Sequence, residues 1–275
     1  MYKLVAIDLD GTLVTDDKQL TNRTIETIKK ASEKGVKIMI SSARAFYRLE
    51  KYIDALDLRK EGQYTICFNG AMIVENAIGN IVFSKNLEED EVKEIIELGK
   101  KLEVPMMLYA KQMNFVEQIP EILANNKAYK GVNFKIEKFE NNDYSKEENY
   151  VYRIAFIDKS EKIMDIRNKI PKEIIEKYEI TSSVPEYIEF VKKGIKKSEA
   201  IKFIMEKYQI KQEEVMAMGD GENDIEMLKF AGLGVAMENA SEDVKKVANV
   251  VTTSNNEDGV ANAIEKYILR GEWNG

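Results

Sequence analysis

VAIDLDGTLVTDD, residues 5–17, is an apolar run that ends in two aspartates and a glycine. The nearly continuous apolar run at 2–9 is typical of a strand buried on both faces of a parallel sheet. Asp8, Asp10 and Gly11 add little to a strand, because carboxylates are costly to bury and Asp and Gly are poor strand formers. We therefore infer that chemistry, rather than folding, determines these three positions.

Strand and helix patterns alternate through the first eighty or so residues. Apolar runs at 36–41 and 64–68 follow the first run, and helical patterns separate the three. Thr21 is suited to cap the first of these helices, and Gly35 to end it. The alternation returns from residue 213 onwards. This order predicts an α/β fold with a doubly wound, Rossmann-like parallel sheet.

The middle of the chain has a different order of strand and helix patterns, with hydrophobic periodicity of its own. Its patterns predict a helix at 88–102, strands at 104–110, 132–139 and 151–158, and a helix at 160–178 that continues past a kink at Pro171. Such a stretch is long enough to form a domain. We predict a Rossmann-like core domain of residues 1–82 and 188–275, into which an α+β domain of residues 83–187 is inserted.

The charge balance of the 275-residue chain limits its partners. The 48 acidic residues outnumber the 41 basic ones and give a net charge of -7. No long-range field therefore attracts nucleic acid or anionic lipid, and an anionic substrate has to be captured locally. No apolar run approaches the roughly 18 residues of a membrane helix, and no segment resembles a signal peptide. We expect a cytoplasmic protein that binds neither nucleic acid nor membranes; its oligomeric state stays open.

Two absences limit the chemistry further. The chain has no histidine, which excludes imidazole bases and zinc sites that use histidine. Cys67 is the only cysteine, so an intramolecular disulfide is excluded. Any acid–base catalysis therefore depends on carboxylates and lysines.

Polar side chains follow the predicted core strands at the points where the strands end. They are Asp8, Asp10, Ser41, Ser42, Asn69, Asp220, Asn223 and Asp224, with Lys197 at the start of a predicted helix. Ligands of open α/β sheets bind beyond the carboxyl ends of strands. Clustered carboxylates repel one another, and oxygen ligands without His or Cys favour Mg²⁺. Carboxylates, Mg²⁺, a lysine and hydroxyl groups together are typical of phosphoryl transfer.

The opening motif then has a chemical interpretation. Asp8 is the candidate nucleophile, which attacks phosphorus and forms an aspartyl phosphate. Asp10 is the candidate acid–base, which protonates the leaving oxygen and then takes a proton from water. Gly11 allows a sharp turn with N–H groups toward the phosphate, and Thr12 adds a hydroxyl donor.

Four motifs in this order resemble those of the haloacid dehalogenase (HAD) superfamily. They are DLDGT at 8–12, IMISSAR at 38–44, GIKKSEA at 194–200 and GDGENDIEML at 219–228. FNGAMIV at 68–74 and TTSNNEDGVANAI at 252–264 are similar to further signatures of the Cof-type branch. Members of that branch are mostly magnesium-dependent phosphatases of sugar phosphates and related small metabolites.

The resemblance implies which residues bind phosphate. Ser42 and Ala43, which stand where the family commonly has Thr and Gly, correspond to the phosphate-binding second motif. Gly11, Thr12 and Asn223 are assigned to the same phosphate site. Lys197, three residues after Gly194 as in the family pattern, is implied as the lysine that neutralises the phosphate; the alternative is the adjacent Lys196.

The resemblance also implies the metal ligands. By position they are the side chains of Asp8 and Asp220 and the backbone carbonyl of Asp10. Asp224 and Asn223 complete or orient this set, directly or through water. Because the insert falls between the second and third motifs, the resemblance implies a large cap domain.

These inferences predict a Mg²⁺-dependent phosphatase of small phosphorylated metabolites, with sugar phosphates as the expected class. Two alternatives remain open at this point. A non-catalytic module could bind a phosphometabolite in the same pocket, although it would need no acid–base residue. A phosphosugar mutase would use the same nucleophile, but the single helix between the first and second motifs leaves no room for the small cap of many mutases.

Overall fold

The computed structural model describes residues 2–124 and 132–271. The chain divides into two units, one formed by Met1–Phe83 with Lys196–Gly275 and the other by Ser84–Ile195. The insert therefore extends past residue 187, where the sequence patterns placed its end. The reason is that the strand Tyr187–Lys192 pairs with Val151–Ile157 inside the second unit.

The secondary structure of the described residues follows the predicted alternation. In chain order the strands are β1 (Leu4–Asp8), β2 (Lys37–Ser41), β3 (Tyr64–Cys67), β4 (Met72–Glu75), β5 (Asn80–Ser84), β6 (Met106–Ala110), β7 (Asn114–Val116), β8 (Phe134–Ile136), β9 (Val151–Ile157), β10 (Tyr178–Thr181), β11 (Tyr187–Lys192), β12 (Val215–Gly219), β13 (Leu233–Ala236) and β14 (Val250–Val251). The α-helices are α1 (Asn22–Glu33), α2 (Glu50–Ala55), α3 (Glu89–Lys101), α4 (Glu121–Ala124), α5 (Ser160–Arg167), α6 (Lys172–Lys177), α7 (Lys197–Tyr208), α8 (Ile225–Phe230), α9 (Glu242–Val247) and α10 (Gly259–Ile264).

The first unit is built on a sheet with the strand order β14-β13-β12-β1-β2-β3-β4-β5. The strands from β14 to β3 are parallel, and β4 is antiparallel to β3. Along the chain, β2 to β5 are added on one side of β1, and β12 to β14 are added later on the other side. Among the helices, α1 packs on α10, and α7 packs on α8. The predicted doubly wound α/β core with an inserted α+β domain is confirmed.

Local sequence explains the elements that carry the site. All five residues of β1 are buried, as its apolar run predicts. The side chain of Thr21 caps α1 by accepting a hydrogen bond from the Thr24 amide. Gly35, just after α1, has a φ of +86°, which a glycine adopts without strain.

The second unit has a sheet in the order β10-β11-β9-β6-β7-β8, mostly antiparallel. Apolar residues of its strands and of α3, α5 and α6 form its own core. The prediction of one helix at 160–178, kinked at Pro171, is wrong. The segment forms two helices, and Pro171 precedes the second one, because proline has no N–H for a helix interior but is tolerated at a helix start.

None of the helices within residues 2–124 and 132–271 is long and apolar enough to cross a membrane.

Candidate active site

The carboxyl ends of three neighbouring strands lie level with one another in the first unit. Asp8, the last residue of β1, pairs with Ser41, the last residue of β2. On the other side Ile7 pairs with Met218, so that β12 ends beside Asp8 and leads directly into Asp220. Sheet register therefore brings together segments that are more than 200 positions apart.

Three predicted metal ligands form one cluster at this edge. Asp8, Asp220 and Asp224 each offer a carboxylate oxygen, and the three oxygens lie within 4.8 Å of one another. Asp8 is 6% exposed and Asp224 is fully buried. The side chain of Asp10 is not part of this cluster.

Lys197 bridges two members of this acidic cluster. Its Nζ donates to Asp8 Oδ1 at 2.5 Å and to Asp224 Oδ1 at 2.7 Å, and its side chain is buried. A Cβ on Gly70 would lie 2.5 Å from the carbonyl oxygen of Lys196, so glycine at position 70 allows the start of α7 to come this close. The geometry therefore places Lys197, rather than Lys196, against the predicted nucleophile.

The electrostatics of the cluster are unfavourable without added positive charge. Burial, and next the nearby Asp224 carboxylate, raise the pKa of Asp8 well above its usual range. The same two causes raise the pKa of Asp220 to about 7. Burial alone would lower the pKa of Lys197, but the Asp224 and Asp8 carboxylates outweigh it and raise that pKa. One ammonium thus offsets only part of the repulsion among three carboxylates.

Backbone geometry fixes the orientation of Asp224. Its Oδ2 accepts hydrogen bonds from the amides of Asp220 at 3.0 Å and Gly221 at 2.9 Å. A Cβ on Gly219 would lie 2.5 Å from the Cβ of Asp224, so glycine is needed there for the close approach. Asp224 therefore presents its other oxygen, Oδ1, to Lys197.

Asp10 points into a separate cationic environment. Arg44 contacts both carboxylate oxygens, with Nε 2.7 Å from Oδ2 and the terminal nitrogen Nη2 2.5 Å from Oδ1. Lys18 Nζ lies 2.9 Å from Oδ1. Burial of Asp10 opposes ionisation, but Arg44 and then Lys18 outweigh it and hold the pKa of Asp10 below its usual range. Sequence reasoning gave Lys18 no role, because a lysine in a polar loop carries no distinguishing pattern.

The turn after β1 brings Gly11 and Thr12 against Asp220. Thr12 Oγ1 donates to Asp220 Oδ1 at 2.6 Å. Gly11 has a φ of +82°, and a Cβ built on it would lie 2.3 Å from Asp220 Oδ2. Glycine is required at this position for both reasons, the positive φ and the space.

The second motif and the third strand end lie side by side. The Ser42 hydroxyl accepts from the Arg44 amide at 3.2 Å, and the Ser42 carbonyl accepts from the Asn69 amide at 3.1 Å. Asn223 Nδ2 donates to Asn69 Oδ1 at 3.0 Å. Ala43 is partly buried between Ser42 and Arg44. The predicted phosphate-binding residues Ser42 and Asn223 are thus linked through Asn69.

Three features together define the class of HAD-fold hydrolases. They are a parallel α/β core, an inserted second unit and a lysine-bridged carboxylate cluster at the strand ends. The chain belongs to the haloacid dehalogenase-like hydrolase family, whose model matches residues 5–264. The family resemblance of the four motifs is confirmed, and the protein is an enzyme of the hydrolase type.

The similarity to known proteins covers almost the whole chain. The 5-amino-6-(5-phospho-D-ribitylamino)uracil phosphatase YcsE of Bacillus subtilis is 34% identical over 269 residues, with 97% of this chain and 96% of the relative covered. A haloacid dehalogenase-like hydrolase from Bacteroides thetaiotaomicron has a similar crystal structure, with a TM-score of 0.83, 29% identity, and 98% and 100% of the two chains covered. The HAD subclass IIB sugar phosphatase BT4131 matches with a TM-score of 0.79 and 28% identity over 96% and 98% of the chains.

Proposed function

We propose that this protein is a Mg²⁺-dependent phosphatase that hydrolyses phosphomonoesters of small metabolites through an aspartyl phosphate on Asp8. The observation that carries the proposal is the cluster of Asp8, Asp220 and Asp224, with Lys197 buried against two of its members. The enzyme class, an HAD-type phosphomonoesterase, is supported by the family and by the phosphatases among the relatives.

The residues of the cluster suit a hard divalent cation. Their donors are carboxylate oxygens only, and burial and mutual repulsion disfavour their ionised forms until positive charge is added. We assign the side chains of Asp8 and Asp220 and the carbonyl of Asp10 as ligands of Mg²⁺, and Asp224 as a ligand either directly or through water. When bound, the ion neutralises negative charge on the carboxylates and on the phosphate.

Asp8 and Asp10 carry the covalent steps. An Asp8 carboxylate oxygen attacks phosphorus, and the bond from phosphorus to the leaving oxygen breaks. The leaving oxygen takes a proton from Asp10, which has to bind that proton from solvent beforehand because Arg44 and Lys18 hold its pKa below the usual range. Water then attacks the phosphorus of the aspartyl phosphate and gives a proton to Asp10. The bond from phosphorus to Asp8 breaks, which releases inorganic phosphate and restores the Asp8 carboxylate.

Other residues of the chain hold these groups and the phosphate. Lys197 donates to Asp8 and opposes the rise in its pKa, and its positive charge attracts the phosphate oxygens. Arg44 and Lys18 fix the orientation of the Asp10 carboxylate. Gly11, Thr12, Ser42, Ala43 and Asn223 form the remaining part of the assigned phosphate site.

The proposed substrates are sugar phosphates and chemically related polyol phosphates, and the proposed location is the cytoplasm. Support for the substrates comes from relatives that act on such compounds by name, a sugar phosphatase and a ribitylamino-uracil phosphatase. The test is phosphate release from a panel of sugar phosphates, nucleotides, cofactor phosphates and p-nitrophenyl phosphate with Mg²⁺. Release from none of them, under conditions where the protein is folded, would refute the proposed phosphatase.

Metal removal is expected to stop turnover. Chelation with EDTA should abolish phosphate release, and excess Mg²⁺ should restore it, because the uncompensated carboxylates repel one another and the substrate. Mg²⁺ should also raise the Tm of the protein, and Asp220→Asn should weaken this shift. Full activity in the chelator, after dialysis against it, would contradict a metal requirement.

Two glycine variants separate backbone strain from damage to the site. Gly11→Ala and Gly35→Ala both place a side chain at a positive φ, and this strain should lower the free energy of unfolding of each by about 1–2 kcal/mol, with a further loss at Gly11 from the contact with Asp220. At Gly35 no atom lies within 4 Å of the added Cβ, whereas at Gly11 the Cβ has to displace the Asp220 carboxylate. We expect kcat to fall about tenfold or more for Gly11→Ala only. Equal kcat values in the two variants would contradict a role for this close approach.

A further inference from the structure

Three asparagines from two distant loops contact the β1–α1 loop, which we define as residues 9–21. Asn239 follows β13, while Asn255 and Asn256 follow β14 and belong to the TTSNNEDGVANAI signature. The proposed phosphatase chemistry uses none of the three. Their side chains nevertheless hydrogen-bond to the segment that carries Asp10 and Thr12.

Asn239 connects the β1–α1 loop to the loop after β14. Its Nδ2 donates to the carbonyl of Gly11 at 2.8 Å, and its Oδ1 accepts from the Asn255 amide at 3.0 Å. Both ends of one short side chain are therefore engaged, one on each loop.

Asn255 and Asn256 contact the next part of the loop. Asn255 Nδ2 donates to the carbonyl of Val14 at 3.0 Å and to Asp16 Oδ1 at 3.1 Å, and this asparagine is only 5% exposed. Asn256 accepts from the Asp16 amide at 3.1 Å and donates to Asp16 Oδ2 at 2.9 Å. Five hydrogen bonds thus join these two residues and Asn239 to the β1–α1 loop.

The loop needs these external partners because its internal backbone hydrogen bonds are made to carbonyls other than those of Gly11 and Val14. The amides of Leu13 and Val14 donate back to the carbonyls of Asp8 and Leu9. The Gly11 and Val14 carbonyls receive their side-chain bonds from Asn239 and Asn255. The bond to the Val14 carbonyl is buried, and such a group loses about 1–3 kcal/mol if it is left without a partner. The loop would move to avoid that loss.

We propose that Asn239 and Asn255 are positioning residues, which hold the β1–α1 loop so that Asp10 and Thr12 keep their places beside Asp8 and Asp220. The expected effect on kcat rests on the proposed function, whereas the expected effect on the loop does not. Asn256, which is exposed and bonded to Asp16 only at the outer part of the loop, has a smaller effect.

The test uses Asn239→Ala and Asn255→Ala, with Asn249→Ala as the matched control. Asn249 also bonds a backbone group through its side chain, accepting from the amide of Gly234 in β13 at 2.7 Å, so its bond holds the sheet and not the β1–α1 loop. Hydrogen exchange measured by mass spectrometry reports on the amides of residues 11–16, and steady-state kinetics with p-nitrophenyl phosphate reports kcat and KM separately.

We expect both site variants to accelerate exchange at residues 11–16 and to lower kcat by about 10- to 100-fold, with a much smaller change in KM. The control should leave exchange in this segment and kcat unchanged. Asn255→Asp keeps the size but loses the donor, so it should lower kcat at least as much as Asn255→Ala. A role in filling space only would predict near-normal kcat for Asn255→Asp.

Unchanged exchange at residues 11–16 in both alanine variants would overturn the proposal, and so would a kcat loss no larger than in Asn249→Ala. If the variants of the buried Asn255 do not fold, the variant Asn239→Ala, at an exposed position, decides the result alone. Wild-type protein that releases no phosphate from any ester would refute the proposed function instead, and the exchange data would then decide whether the asparagines hold the loop.

Discussion

Asp8→Asn is expected to lower kcat at least about 10³-fold, because an amide oxygen is not an effective nucleophile toward phosphorus. The substitution keeps the size of the side chain at the end of β1. It also removes one of three mutually repelling carboxylates, and burial already raises the pKa of Asp8. The Tm of the metal-free variant should therefore equal or exceed that of the wild type.

The control for this experiment is Asp17→Asn, which removes an exposed carboxylate from the same segment of chain. Its turnover should match that of the wild type. Phosphate release and a thermal melt, measured on both variants at the same Mg²⁺ concentration, separate loss of chemistry from loss of folding. A folded Asp8→Asn protein that keeps more than a few per cent of the rate would remove Asp8 from its proposed role.

Lys197→Ala is expected to damage both stability and activity. Its removal leaves Asp8 and Asp224 buried without their shared cation, and breaking a buried pair of this kind typically costs about 3–5 kcal/mol. The phosphate also loses the ammonium that neutralises it, so kcat/KM should fall at least about 100-fold. Urea unfolding and phosphate-release kinetics measure the two effects.

Lys196→Ala is the comparison, because Lys196 lies one position earlier and precedes α7. Its effect on both quantities should be much smaller. Mg²⁺ should recover part of the stability lost in Lys197→Ala, since it also offsets the repulsion of the carboxylates. If instead Lys196→Ala had the larger effect on kcat/KM, the assignment of the phosphate-neutralising lysine would be wrong.

The core fold and three members of the acidic cluster could be predicted from the sequence because both depend on local patterns; the sequence also grouped the Asp10 carboxylate with them, but the structure pairs it with Arg44 and Lys18. Apolar runs marked the buried strands, and the polar residues that interrupted them marked strand ends. In a parallel sheet those ends share one edge, so Asp8 and Asp220 were expected to meet although 212 positions separate them, and the structure places them together. The cap at Thr21 followed from side-chain chemistry in the same way.

Elements whose ends depend on packing were less well predicted. The helix expected at 160–178 with a kink at Pro171 in fact ends at Arg167, and a second helix begins at Lys172; periodicity alone does not distinguish a kink from a break. The end of the second unit lies beyond 187 because β11 pairs with β9, and strand pairing between distant segments leaves no signal in either segment alone.

By itself, the sequence determined which residues have the chemistry for the site and that the strands would collect them at one edge of a sheet. Only the tertiary structure decided which partners surround each one: Arg44 and Lys18 around Asp10, and Asn239 and Asn255 on the loop after β1. The physical reason is the distance along the chain over which each kind of interaction acts. Burial and backbone propensity act over a few residues and leave a periodic pattern in the sequence, whereas a side-chain contact between loops depends on atomic positions that the whole fold sets, at separations from 34 positions for Arg44 and Asp10 to 241 for Asn255 and Val14.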